Sequence, residues 1–154
     1  LRREPGEEPP TAFLLGADGT QGSALTCSSG IPAKNKPYGD HIRMDGRAIY
    51  QFAVRKVPEC IQEVLTEADL SAEDIDLYIL HQANCRIIDS IARHLQQPPE
   101  KFPMNLQETG NMSSASIPVL LDQLNRDGTR KRGMKIVMAG FGAGLTWGAV
   151  CMEW

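Results

Sequence analysis

Between Arg47 and Glu67, Ile49, Phe52, Ala53, Val57, Ile61, Val64 and Leu65 recur at three- and four-residue steps. That period predicts a long amphipathic helix burying one face. Pro58 falls inside it and lacks an N–H, so a kink or a break is expected there. Asp74 to Leu80 ends in a near-continuous apolar run, the pattern of a strand buried on both faces, and the run stops at His81. A second helix is predicted from about Asn84 to Leu95, with Ile87, Ile88, Ile91, Ala92 and Leu95 turned inward. Gln96 to Lys101, carrying Pro98 and Pro99, reads as a loop. A third helix is expected to start near Ser113, a good capping residue, and to carry Ile117, Leu120, Leu121 and Leu124. Pro118 is tolerable because it lies near the first turn. Lys135 to Ala139 reads as a buried strand, and Leu145 to Met152 pairs back on it through the Phe141-Gly142-Ala143-Gly144 turn.

Upstream, Ala12 to Leu15 predicts a short strand closed by the turn-rich Gly16 to Gly19. From Gly22 to Asp40 Ser, Gly, Pro and Lys dominate, so a loop is expected, with one further strand around Ala24 to Cys27. Residues 1–10, rich in Pro and Glu, read as a linker or frayed arm, which leaves residues 11–154 as one domain. Strands alternating with helices place the chain in the α/β class. The expected architecture is a mixed, mostly parallel sheet with helices on its faces and an antiparallel hairpin at its C-terminal edge. The chain opens on Leu1 rather than Met, which suggests a segment of a longer protein, whereas the strand-like ending at Trp154 suggests a true C-terminus.

With 154 residues the domain is large enough to bury a proper core. A formal charge of −3 argues against nucleic acid as a partner, and no apolar run is long enough to span a membrane. Basic side chains cluster locally at Arg126, Arg130, Lys131 and Arg132, which form either a solvated surface or a patch for an acidic partner. The four cysteines, at 27, 60, 85 and 151, have neither C-x-x-C spacing nor a metal-ligand pattern. With no secretory signal in the chain, free thiols and a cytoplasmic location are expected, and no metal.

The candidate chemistry lies just beyond the strand ends. His81 follows the buried strand in Leu80-His81-Gln82-Ala83-Asn84, and Asn111 lies in Thr109-Gly110-Asn111-Met112-Ser113-Ser114-Ala115-Ser116. An α/β sheet binds its ligands outside the carboxyl ends of its strands. A histidine in such a place is more often a satisfied structural group than a catalyst. The second Gly-turn with its asparagine shifts the balance, because an imidazole N–H and a carboxamide N–H aimed at one point make an oxyanion-type site. Such a site suits the oxygen of a thioester enolate and needs no acid or base of unusual strength. Gly140-Phe141-Gly142-Ala143-Gly144-Leu145-Thr146-Trp147-Gly148 adds a glycine-rich reversal whose plain reading is a tight hairpin.

These three motifs together resemble the C-terminal half of the β-ketoacyl-acyl-carrier-protein synthase III family, condensing enzymes of the thiolase superfamily. The resemblance runs from about Met44 to Trp154. It implies a thiolase-like half and a decarboxylative Claisen condensation of an acyl-coenzyme A primer with malonyl-acyl-carrier-protein, the start of fatty acid synthesis. His81 and Asn111 match the family's pair that stabilises the enolate during decarboxylation. Ala143 stands where the usual motif has glycine and matches the backbone N–H donor of the oxyanion hole. Phe141, Asn84, Gly46 and Arg47 would lie along the pantetheine and coenzyme A channel, with Phe141 packing it rather than reacting. Arg86 matches a basic position that docks acyl carrier protein, and Arg93, seven residues on, shares its helix face; the plain alternative for both is solvation. The implied partners are acyl carrier protein, acyl-coenzyme A and the chain's own N-terminal half, with no cofactor beyond the coenzyme A and phosphopantetheine thioesters. The apolar face that would meet that half implies a homodimer of the segment in isolation.

Met112 replaces the threonine of the family's usual Gly-Asn-Thr-Ser-Ala-Ala-Ser. The larger departure is that none of Cys27, Cys60, Cys85 or Cys151 sits in the motif of the family's nucleophilic cysteine, so the segment alone should not condense. Cys85 lies close to His81 in sequence, but one step past Asn84 it should point away from the site and behave as a small buried hydrophobe. Other readings with the same His and Asn are a related acyltransferase, a polyketide- or quinolone-priming synthase, or a non-catalytic module binding carrier protein or coenzyme A.

Overall fold

The computed structural model describes residues 12–27 and 41–154. The expected arm at residues 1–10 and most of the loop expected from Gly22 to Asp40 lie outside the described residues. Four strands form one sheet: β1 (Ala12–Ala17), β4 (Leu77–Leu80), β5 (Lys135–Gly142) and β6 (Thr146–Glu153), in the order β1-β6-β5-β4. A separate two-stranded ribbon pairs β2 (Leu25–Cys27) with β3 (Ile42–Met44), antiparallel, and β3, just past the expected loop, has no counterpart in the periodicity.

Among the described residues only the β4–β5 pairing is parallel, whereas β5–β6 and β1–β6 are antiparallel. The mixed sheet stands, but the expectation that it is mostly parallel does not. The β5–β6 hairpin is also not at the edge, because β1 adds alongside β6 and becomes the edge strand itself. Alternation of helix and strand gives a parallel pair only where a helix crosses over between neighbours, and here the helical segments between Cys85 and Arg126 do so between β4 and β5.

Helices cover both faces of the sheet. Helix α1 (Gly46–Glu67) packs across β1, β5 and β6 and against α2 (Cys85–His94), burying Ala53, Val57, Ile61 and Val64 with Tyr78, Leu80, Val137, Ala149 and Cys151. Helix α4 (Ser116–Arg126) covers the other face, where Leu120 and Leu124 meet Leu77, Ile79 and Ile136. Successive residues of β4 thus feed opposite cores, which is why all four positions are apolar.

Asp45 starts α1 by accepting the N–H groups of Arg47 and Ala48 on its carboxylate, both at 3.0 Å. Of the kink or break expected at Pro58, the break does not occur, since the helix continues through it. Pro58 removes one backbone bond, but it is buried with Val57, Cys60 and Ile61, and that packing outweighs the loss. Helix α4 begins three residues later than expected. Residues Ser113–Ala115 form a 3-10 turn, Ser113 has φ +54°, and no side chain caps α4. Instead, the Ser116 hydroxyl donates back to the Ser113 carbonyl at 2.8 Å. A short helix, α3 (Leu106–Thr109), precedes this turn and has no counterpart in the periodicity.

Candidate active site

His81 is the first residue past β4, and its N–H still pairs with the Ala139 carbonyl of β5 at 2.9 Å. The ladder therefore fixes its backbone, while its own carbonyl accepts the Ala83 N–H at 2.9 Å to turn the chain toward α2. Its half-buried ring lies edge-on to Phe141, centroids 5.4 Å apart. Among the described residues the ring nitrogens make no hydrogen bond to protein. Burial alone pushes the imidazole below its ordinary value of 6.5, so it is neutral at neutral pH. A neutral imidazole keeps one N–H donor without bringing charge to the site.

The ring forms part of the wall of a cleft of about 750 Å³. Ser113, Ser114 and Ile117 contribute one side, Gly140 to Ala143 another, and Leu15, Cys27, Ile42 and Met44 an apolar flank. Asn111 is exposed and stands two residues before that first side, at its shoulder, rather than in the lining itself. It follows Gly110, whose φ of +65° and ψ of −163° suit glycine alone. The Asn111 Oδ1 accepts the Ser113 N–H at 2.9 Å. That bond assigns the carboxamide's orientation and leaves its NH₂ as the donor available to a ligand.

Ala143 lies in the cleft lining at the tip of the β5–β6 hairpin, and its backbone does not enter the left-handed region. An L-residue therefore replaces glycine there without strain. The tip is anchored from behind, since Leu145 is buried and exchanges both backbone hydrogen bonds with Asp18, at 2.7 and 2.8 Å. Phe141 lines the cleft and also meets Phe52 of α1 edge-on, centroids 6.5 Å apart.

The other candidates stand apart from the lining. Gly46 and Arg47 open α1, both exposed, two and three residues beyond the cleft residue Met44. Asn84 caps α2 by accepting the Arg86 N–H at 2.8 Å. Arg86 and Arg93 are exposed on α2, with exposed Asp89 between them in sequence. Cys85 is exposed rather than buried, and it lines a second cleft with Met104 and Leu106, away from His81. Of the basic run, Arg126 pairs with Asp122 at 2.8 Å. Arg130 is buried, lies 3.2 Å above the Trp154 ring and donates to the Asn125 carboxamide at 2.6 Å. Arg130 is therefore committed to structure, whereas Arg126 stays exposed.

Sequence reasoning missed Gln82, which is wholly buried, and the cleft residues Cys27, Ile42 and Met44. For Gln82 one signal was present, a neutral polar residue wedged between an apolar strand and an apolar helix. Among the described residues no cluster of His, Cys, Asp or Glu could hold a metal ion, and no helix is long and apolar enough to cross a membrane.

Residues 65–154 match the family described as 3-oxoacyl-[acyl-carrier-protein (ACP)] synthase III C terminal. The chain is 46% identical over 151 residues to a β-ketoacyl-[acyl-carrier-protein] synthase III of Microcystis aeruginosa, covering 92% of this chain and 45% of that protein. A Clostridium acetobutylicum protein of the same name is 42% identical, covering 91% and 45% respectively. The crystal structure of the Aquifex aeolicus 3-oxoacyl-[acyl-carrier-protein] synthase III superimposes with a TM-score of 0.89 at 38% identity, over 99% of this chain and 46% of that one. The priming β-ketosynthase of the R1128 polyketide pathway superimposes with a TM-score of 0.85 at 34% identity, over 93% and 44%. The chain thus spans a little under half the length of the curated relatives it matches.

Proposed function

The chain belongs to the 3-oxoacyl-[acyl-carrier-protein] synthase III family, and from that membership we propose that it is the carboxyl-terminal half of such a condensing enzyme. In the whole protein it handles the malonyl side of a decarboxylative Claisen condensation. The observation that carries this reading is a neutral imidazole lining an apolar cleft, with an unengaged carboxamide NH₂ at its shoulder.

The chemistry requires donors rather than a base. When a malonyl thioester loses carbon dioxide, the electron pair of the breaking C–C bond flows into the thioester and places negative charge on its oxygen. His81 and Asn111 donate N–H groups to that oxygen, and once its open flank is covered the cleft excludes the water that would weaken them. The carbanionic carbon then attacks an acyl group held on a cysteine that this chain does not supply. The Ala143 N–H serves as a donor to the tetrahedral oxyanion that forms, whose collapse breaks the C–S bond and releases the cysteine thiolate. Arg86, and less directly Arg93, offer cations to acyl carrier protein, while Asn84, Gly46 and Arg47 border the approach of the pantetheine arm. Exposed Leu15, Ile42 and Met44 on the open flank support a missing half as their cover, or a second copy of the chain in isolation.

The likeness to a polyketide priming synthase favours one rival, a different primer on the same machinery. A non-catalytic carrier-protein or coenzyme A module remains the reading from another class, though it has no need for both His81 and Asn111. The test joins this chain to the N-terminal half of the Microcystis aeruginosa relative and follows both malonyl-thioester decarboxylation and primer transfer. His81→Ala and Asn111→Ala should each lower decarboxylation by about 100-fold or more while sparing primer transfer. Thioester binding without turnover would establish the binding module instead.

A further inference from the structure

Gln82 is wholly buried, yet it is the residue next to His81. Its Nε2 donates to the Leu80 carbonyl at 2.9 Å and reaches the Pro103 carbonyl at 3.5 Å, and its Oε1 accepts the Asn105 N–H at 3.3 Å. Asn105 in turn donates from Nδ2 to Gln123 Oε1 of α4 at 2.6 Å. The Asn105 carbonyl accepts the N–H groups of Glu108 and Thr109, both at 3.0 Å, and so starts α3.

This chain of amides has a consequence for the site. The Asn111 turn is bracketed by α3 before it and α4 after it, and the Asn105–Gln123 bond closes that bracket at its base. Gln82 ties the closed bracket to the end of β4, one residue from His81. We propose that Gln82 is a positioning residue which, through Asn105 and Gln123, sets the separation of the His81 imidazole and the Asn111 carboxamide. This rests on the functional reading above for its catalytic meaning, but the geometric coupling stands apart from it. Two donors meant for one oxygen lose most of their effect when displaced by an ångström, so a link that spans the two turns governs rate more than binding.

The first experiment uses the chain itself and reads the Asn111 side-chain amide and the His81 ring in ¹H–¹⁵N spectra. Gln82→Met is nearly isosteric and removes every bond, and Gln123→Met cuts only the far link. Both should move the Asn111 amide pair. Gln97→Met, at another buried glutamine, bonded instead to Glu73, should leave it in place. Gln82→Glu, held protonated by burial, keeps one donor and one acceptor and should restore most of the wild-type spectrum.

The second experiment places the same variants in the joined protein. Gln82→Met should lower kcat for decarboxylation by about 10- to 100-fold, with KM and primer transfer within about twofold, and Gln82→Glu should recover most of it. The proposal is overturned if the Asn111 amide ignores Gln82→Met, or if decarboxylation and primer transfer fall together by one factor, as a general folding defect would make them. A wild-type joined protein that does not decarboxylate would remove the functional reading, and the spectra would then decide the coupling alone.

Discussion

Phe141→Ala tests the link between packing and chemistry in the cleft. The ring stands between His81, 5.4 Å away, and Phe52, 6.5 Å away, edge-on to both. Truncating a fully buried Phe costs about 3–5 kcal/mol. Phe141 is only half-buried, with one side on the cleft, so about 2 kcal/mol is expected, of which its two ring contacts account for roughly half. For a chain of this size that is a fall in Tm of roughly 4–8 °C. The second effect falls on His81, whose imidazole is held below 6.5 by burial alone. Opening the wall to water relieves that burial, so the imidazole should titrate closer to 6.5. Because the folded protein binds this proton less readily than the unfolded chain, stability is fully present above 6.5 and is lost as pH falls through the interval down to the folded value. Phe141→Ala should flatten that step, while Phe141→Leu, which keeps an apolar wall, should retain it. Urea unfolding at several pH values and an NMR titration of the His81 ring read both effects. An unmoved His81 titration in Phe141→Ala would refute the assignment of the shift to this wall.

Gly16 faces Trp147 across the β1–β6 register, and a Cβ there would overlap the indole, so Gly16→Ala should cost about 1–3 kcal/mol and alter the tryptophan emission. An unchanged midpoint and spectrum would mean that β1 is not packed there. Burial pushes the Cys60 thiol up to about 11 and raises Cys151 too, so a mild alkylating agent should modify exposed Cys85 in the native chain and these two only on unfolding. Mass mapping of Cys60 adducts at native rates would contradict that core. Arg130→Ala removes both the stacking on Trp154 and the bond to Asn125, and should cost about 2 kcal/mol in urea unfolding, whereas Arg132→Ala, on the exposed side of the same run, should cost nothing measurable. Exposed Phe13, Leu15, Ile42 and Met44 should drive self-association, which sedimentation would detect, and Leu15→Lys with Ile42→Lys should abolish it.

The three main helices and the strands β4, β5 and β6 were readable from period and burial, because each repeats its apolar residues at the spacing its own geometry imposes. β4 gave itself away through Leu77, Tyr78, Ile79 and Leu80, since a strand with a core on each face has no polar position to spare. β3 escaped because Ile42 and Met44 are exposed on a three-residue ribbon and make no core pattern. The direction of pairing was misjudged for a related reason. Local periodicity says that Ala12–Ala17 is a strand, but its place beside β6 depends on long-range contacts that no window contains. The capping prediction at Ser113 failed because a serine that suits an N-cap also suits a tight turn, and Gly110-Asn111 had already committed the backbone to one.

The site divides in the same way. His81 and Asn111 stood out as polar groups just past a strand end and in a Gly-turn, whereas Ala143 was singled out only through the resemblance to the condensing-enzyme family. Gln82, Asn105 and Gln123 did not stand out, because an amide side chain in a sequence reads as surface until burial is known. Yet burial is what gives both groups their meaning. Burial lowers the His81 imidazole below its ordinary value, and the next residue, Gln82, is wholly buried at the end of the same strand. In water an amide bridge between two loops would contribute little, since solvent competes for each bond. The Gln82 end of the bridge is enclosed, so a broken link there strands its partner at a cost of about 1–3 kcal/mol, whereas the Asn105–Gln123 end is part-buried and borders the second cleft. On the proposed reading, one buried strand end leaves an uncharged imidazole on the cleft and ties its neighbour Gln82, through Asn105 and Gln123, to the elements that flank the Asn111 turn.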